Sequence, residues 1–217
     1  MGDDGYSANM TARATVAGPP LDYSFCELPD VESILDETPR GGKTKDQIEA
    51  DDQAKREADA KKPKAAFTLE KPKRTHVDPP REVTQVLKLN NNRISTMAGI
   101  DSVLPKLVHD PFRLTMLDLS FNQLERVEKV LLQFENLGVL YMHGNQICGL
   151  KNLDTLAKLP ILKAVTLHGN DIEHEKSYKN YAISAIRGLK TLDFNTITTR
   201  ERDTAQRWAA SRGKGKK

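Results

Sequence analysis

An eleven-residue pattern, L-x-x-L-x-L-x-x-N-x-L, occurs four times in the chain, over Thr84 to Ile94, Leu114 to Leu124, Leu137 to Ile147 and Leu162 to Ile172. The ninth position is Asn each time: Asn92, Asn122, Asn145 and Asn170. Of the sixteen aliphatic positions only Thr84 departs, so the chain is a stack of similar units and not a sequence of unrelated elements. The spacing dictates the local shape. The fourth and sixth residues of a short strand share one face, because side chains alternate with period two, and that face must be the buried one. The eleventh residues Ile94, Leu124, Ile147 and Ile172 return to the same core from the next stretch. An Asn where the chain bends out of the strand can donate to and accept from backbone groups that the turn leaves unpaired. The prediction is an α/β solenoid, with short parallel strands on a concave face, short helices or loops on the convex face, and an asparagine ladder joining the units.

Successive asparagines lie 30, 23 and 25 residues apart. The long first interval holds an insertion at 99–113 with Pro105 and Pro111, while Glu125 to Phe134 and Gly149 to Leu159 read as brief helices, the second stopped by Pro160. After Asp171 the period fails. Tyr178, Tyr181, Ile183 and Ile186 predict a helix, and Leu189, Leu192 and Phe194 a final strand in which Ile197 replaces the Asn. Thr198 with Glu201 forms a capping box that opens a last helix containing Trp208. An exposed solenoid end needs such a cover.

Composition divides the chain at residue 82. Residues 1–82 carry 13 Lys and Arg against 17 Asp and Glu, and only 11 of them are Ile, Leu, Val or Phe. That content is below the roughly 20% needed for a self-sufficient core, so an extended or disordered arm is expected there. Residues 83–217 carry 20 basic against 13 acidic residues and nearly all the aliphatics. The expected organisation is an arm at 1–82, repeats at 83–176, a cap and helix at 177–211, and a basic tail at 212–217. Lys43 to Lys64 is rich in Ala and alternating charge without an apolar stripe, which fits a solvated helix. Within the arm, aliphatic and aromatic residues crowd together only at Pro19-Pro-Leu-Asp-Tyr-Ser-Phe25, which makes Leu21, Tyr23 and Phe25 candidate anchors for a partner protein. Neither a secretory signal nor a long apolar run is apparent, so a soluble cytoplasmic protein without membrane contact is expected. Cys26 and Cys148 are too few and too far apart for a zinc site or disulfide framework.

Function should sit on the concave face. Third positions Val86, Met116, Val139 and Ala164 form an apolar column, and fifth positions Lys88, Asp118, Tyr141, Thr166 and Asp193 a mixed one, with Phe121 as an added exposed aromatic. A wet sheet face without a task is more polar than this, so the surface reads as a groove for a helix or extended peptide of another protein, with the chain's own arm as the alternative occupant. His143 and His168, both at seventh positions, should stand about 5 Å apart on neighbouring strands. Two imidazoles fall short of the three or four ligands of a zinc site, so they are read as shaping the groove. No phosphate-cradling loop, nucleophile elbow or HExxH motif occurs, so no enzymatic activity, cofactor, metal or small-molecule substrate is expected. The tail Arg212-Gly-Lys-Gly-Lys-Lys217 can touch acidic polymers such as the tubulin surface, and nucleic acid is the weaker expectation.

The repeats Leu-Asp-Leu-Ser-Phe-Asn122, Val-Leu-Tyr-Met-His-Gly-Asn145 and Thr-Leu-His-Gly-Asn170, together with the cap segment Glu173-His-Glu-Lys-Ser-Tyr-Lys-Asn-Tyr181, resemble the intracellular leucine-rich repeat family with a C-terminal cap. That family includes a regulatory subunit of protein phosphatase 1, the spliceosomal A-prime protein and an axonemal dynein light chain. One departure from its cap is Asp171 after Asn170, where the family usually has Pro. The Pro19 to Phe25 element, read as lying outside any repeat, draws the resemblance toward a branch associated with cilia and flagella. What it implies is a cytoplasmic, non-enzymatic structural adaptor of the axoneme that binds other axonemal proteins; a soluble regulatory subunit of a phosphatase or dynein, and an RNA–protein assembly factor, are the alternatives.

Overall fold

The structure is a computed structural model and describes residues 15–61 and 81–213. In chain order the strands are β1 (Thr15–Ala17), β2 (Leu21–Asp22), β3 (Arg81–Val83), β4 (Val86–Lys88), β5 (Met116–Asp118), β6 (Val139–Tyr141), β7 (Ala164–Thr166), β8 (Thr191–Leu192) and β9 (Asn195–Thr196). The helices are α1 (Lys45–Lys61), α2 (Ile100–Leu107), α3 (Lys151–Leu156), α4 (Tyr178–Ala185) and α5 (Thr199–Gly213). Strands β2, β4, β5, β6, β7 and β8 form one parallel stack that β9 closes by an antiparallel turn. The register aligns Leu87 with Leu117, Leu140, Val165 and Leu192, so one buried side chain from each unit stacks on the next. The expected fold is therefore the observed one.

The asparagine ladder is continuous. Asn122 accepts from the Ile94 N–H at 3.1 Å and donates to the carbonyls of Leu89 at 2.8 Å and Leu119 at 3.1 Å. Asn145 and Asn170 repeat this arrangement one unit further along, accepting from Leu124 and Ile147. Each side-chain amide thus ties the turn of its own unit to the turn of the unit before it. Convex segments differ from unit to unit. The insertion at 99–113 folds as α2, which buries Ile100, Val103, Leu104 and Leu107, followed by a short turn of helix at Pro111–Arg113. The 125–134 stretch narrows to a tight turn of helix at Lys129–Gln133, and 149–159 holds α3.

The expectation of a coreless arm is overturned for residues 21–34, while residues 1–14 and 62–80 of it lie outside the described residues. Asn92 has a preceding unit to bond: it accepts from the N–H groups of Cys26 and Leu28 and donates to the Tyr23 carbonyl. Strand β2 pairs with β4 in the common register, Leu21 beside Leu87. Leu21-Asp-Tyr-Ser-Phe-Cys-Glu-Leu28 is thus a further unit in front of the four, superposing in pattern on Leu117-Asp-Leu-Ser-Phe-Asn-Gln-Leu124. Leu21 and Tyr23 are both 0% exposed, so they are core residues and not anchors for a partner; Phe25 alone of the three stays exposed. Cys26 stands in the asparagine position. Among the described residues no earlier unit lies beside it, and the outer edge of β2 is covered by Arg40 and Gly41, which exchange backbone hydrogen bonds with Asp22. Gly42 makes this strap possible: its φ is +77°, and a Cβ there would lie 2.4 Å from the Pro20 carbonyl oxygen. The solvated helix expected at 43–64 is α1, opened by a reciprocal Thr44–Gln47 cap.

The far end is covered as expected by α4 and α5. Thr198 and Glu201 form the capping box, with the Thr198 N–H donating to the Glu201 carboxylate at 2.8 Å. The Lys179 ammonium at 2.6 Å and these caps pull the Glu201 carboxyl down to about 2. One expectation fails there: Phe194 does not follow Leu189 and Leu192 into the core. Asp193 and Phe194 both take positive φ, 49° and 62°, reversing the chain into β9 and leaving the Phe194 ring on the surface. Residues 214–217 of the basic tail lie outside the described residues.

Two substitutions test this arrangement in chemical denaturation. Leu21→Ala should lower the unfolding free energy by about 2 to 5 kcal/mol, as expected for a core leucine, whereas an exposed anchor would give almost none. Asn122→Ala should cost about 1 to 3 kcal/mol through the orphaned Ile94 N–H.

Candidate functional site

The concave face carries the candidate site, and its shape follows from the turn after each strand. The eighth position of every unit adopts positive φ: Phe25 57°, Asn91 57°, Phe121 53°, Gly144 67° and Gly169 69°. Glycine and asparagine accept that conformation at little cost, while other residues are disfavoured by roughly 1 to 2 kcal/mol. Phe121 accepts it with its ring 53% exposed. The ring lies over the next unit's turn, where a Cβ on Gly144 would come within 2.6 Å of it. Gly169 follows against Gly144, a Cβ there falling 3.3 Å from the Gly144 nitrogen, so the two glycines form a flat shelf beside the phenyl ring.

Beside this shelf the seventh-position histidines stack face to face, ring centroids 4.6 Å apart and nearly parallel, as the repeat spacing predicts. His143 meets the Phe121 edge at 5.0 Å. At the other end the Phe194 ring stands over Tyr141, His143 and His168 at 5.3, 5.6 and 5.5 Å. Five rings thus form one contiguous patch. Sequence reasoning found four of them; the period alone assigned Phe194 to the core, and the Asp193–Phe194 reversal places it here instead. The His143 Nδ1 lies 2.8 Å from the Thr166 hydroxyl. Thr166, expected on the open groove, is 1% exposed. The third-position column Val86, Met116, Val139 and Ala164 is half-buried along the same face.

Charges near the rings are mainly carboxylates. Asp118 holds Ser120 through its Oδ1. Asp193, at the fifth position of the cap strand, accepts from the N–H groups of Leu167 and His168 and, through Oδ2, from the Tyr178 hydroxyl at 2.8 Å. Burial and this carboxylate drive the Tyr178 phenol far above its ordinary range. Lys88, the one lysine among the fifth-position candidates, is turned toward Asp22 at 3.4 Å. Burial, with the neighbouring His168, holds the His143 imidazole below its ordinary 6.5, against the opposing pull of Asp118 and Asp193. Among the described residues no group of three or more His, Cys, Asp or Glu side chains is arranged to hold a metal ion, and no helix is long and apolar enough to cross a membrane.

Stacked parallel strands, a laddered turn and a capped end define a leucine-rich repeat protein, and a family model described as leucine-rich repeat matches residues 109–217. Such repeats are protein–protein interaction modules. Within that class the chain belongs to the family of leucine-rich repeat-containing protein 51. It is 36% identical to the Bos taurus protein of that name over 205 residues, covering 94% of this chain and 92% of the bovine protein, and 35% identical to the Homo sapiens protein with the same coverage. A probable U2 small nuclear ribonucleoprotein A' of Caenorhabditis elegans is 31% identical over 44% of this chain and 38% of its own length. Among solved structures, the Drosophila melanogaster SNF/U2A' complex overlays on 57% of this chain, and 67% of its own, at 24% identity and a TM-score of 0.47.

A histidine whose folded-state value is depressed favours the neutral ring in the native protein. As pH falls through about 6.5, the unfolded chain takes up the proton first, and stability declines. Denaturation at pH 7.5 and 5.5 should therefore show a smaller loss of stability on acidification in His143→Gln than in the parent protein.

Proposed function

We propose that the protein is a non-enzymatic structural adaptor of the ciliary or flagellar axoneme, gripping a segment of another axonemal protein on its concave face. The five-ring patch carries this reading. Two phenylalanines held in a disfavoured backbone conformation, both more than half exposed, are better suited to a partner's surface than to water. The axonemal compartment rests on the family resemblance of the Pro19 to Phe25 segment and the cap. Burial of Leu21 and Tyr23 moves the proposed docking from the N-terminal segment to the concave face, with the basic tail as an added salt-sensitive contact to tubulin. A ribonucleoprotein role is the second reading, favoured by the partial similarity to the Caenorhabditis elegans A' relative.

Detergent extraction of ciliated cells expressing the tagged chain separates these readings. The adaptor reading expects the protein in the pelleted axoneme, and expects Phe121→Ser with Tyr141→Ser to shift it to the soluble fraction while thermal unfolding of the purified variant stays within a few degrees of the parent. Complete recovery of the parent protein in the soluble fraction would overturn it, and nuclear, RNase-sensitive retention would support the ribonucleoprotein reading.

A further inference from the structure

The five-ring patch has a chemical bias beyond being apolar. Its members are in mutual contact beside the Gly144–Gly169 shelf, Phe121 meeting His143 and Phe194 meeting Tyr141, His143 and His168. A cation placed over aromatic faces is attracted by the ring quadrupole, and arginine, being planar and weakly hydrated, stacks on such surfaces more readily than lysine. The carboxylates of Asp118 and Asp193 belong to the same fifth-position column as Tyr141. The Asp118 carboxylate bonds Ser120, while that of Asp193 accepts from the Leu167 and His168 amides and the Tyr178 hydroxyl, with the His168 Nδ1 3.5 Å away. Lys88 is engaged with Asp22, one unit away from Asp118 toward the N-terminal end.

The backbone gives a second, independent indication. The repeat turn needs positive φ at its eighth position, and the chain meets that need with Gly144, Gly169 and Asn91 at three of the units. Phe25 and Phe121 occupy the same position with exposed rings, the Arg40 guanidinium lying 5.9 Å from the Phe25 ring, and Phe194 takes the same strained region at the cap. None of these rings fills the core, so none is retained for packing. Phe121 and Phe194 are therefore each held at an energetic disadvantage that a glycine would remove.

We propose that this patch is a receptor for an arginine side chain carried by the partner protein's segment, its guanidinium stacked on the surface formed by Phe121, Tyr141, His143, His168 and Phe194 and offset by Asp118 and Asp193. The proposal rests on the adaptor reading only in taking the concave face as the docking surface. It assigns the partner's chemistry: a segment with an arginine at the centre of its contact, flanked by apolar residues that meet the Val86–Met116–Val139 column.

The test uses the full chain and two small probes, acetyl-arginine N-methylamide and its neutral isostere acetyl-citrulline N-methylamide, titrated by aromatic NMR. The arginine probe should shift the ring signals of Phe121, Tyr141, His143, His168 and Phe194 saturably, and bind roughly 2- to 30-fold more tightly than the citrulline probe. Asp118→Asn should reduce that preference, and Phe121→Gly should weaken binding while leaving the melting temperature equal or higher, because glycine relieves the positive φ. Equal binding of the two probes, or shifts confined to other residues, would overturn the proposal. Loss of axonemal retention in Phe121→Ser with Tyr141→Ser, together with equal binding of the two probes, would remove the arginine assignment and leave the adaptor reading intact. Preferential arginine binding in a chain that never pellets with axonemes would do the reverse.

Discussion

Three-residue strands cannot hold a sheet together on their own hydrogen bonds, and what fixes this structure is the backbone polarity of the turns that follow them. Each turn leaves an N–H and carbonyls pointing inward, away from water. One asparagine amide per unit satisfies them and does so across the unit boundary, so the turn of each unit is bonded to its predecessor. The register of the whole stack is thereby set, and with it which side chains enter the core and which face the concave surface. At the two ends the device changes. At one end Cys26 stands in the asparagine position, while at the other the Asp193 carboxylate collects two backbone N–H groups and a tyrosine hydroxyl.

The same turns govern the candidate site. A left-handed residue is required at the eighth position for the chain to leave the strand, which throws that side chain outward at the rim of the concave face. Where it is glycine, the rim is flat; where it is phenylalanine, the rim bears a ring. Phe121 beside Gly144 and Gly169 is thus one composite feature, since a side chain on Gly144 would collide with the phenyl ring. The histidine stack and the Phe194 reversal complete it. The exposed aromatic surface is a product of the scaffold's own backbone needs, with two residues chosen against local preference.

Four units and the cap could be read directly from the sequence, because strict spacing translates without ambiguity into strand, turn and core. The first unit could also have been read: Leu21-Asp-Tyr-Ser-Phe-Cys-Glu-Leu28 differs from Leu117-Asp-Leu-Ser-Phe-Asn-Gln-Leu124 at three positions. Two things concealed it. Cysteine replaced the diagnostic asparagine, and 66 residues separate Cys26 from Asn92 where the other intervals are 23 to 30. Averaging aliphatic content over residues 1–82 then diluted Leu21, Leu28, Val31 and Ile34, all of them buried, into a segment that otherwise lacks a core. Neither the burial of Thr166 nor the exposure of Phe194 follows from alternation. The second depends on two consecutive left-handed residues, Asp193 and Phe194, that the period cannot foresee.

The 66-residue interval also orders events in time. Most repeat arrays can assemble unit by unit as they leave the ribosome, each new unit docking on the one just finished. In this chain Leu21 and Tyr23 emerge first but find their partners only when Leu87, Leu89 and Asn92 have been made. At about 5 to 20 residues per second, the opening unit waits roughly 3 to 13 seconds with its apolar face uncovered. Nascent chains of this protein therefore pass through a window in which a holding chaperone has a defined target, the segment Leu21 to Ile34, and that window closes once β4 is available.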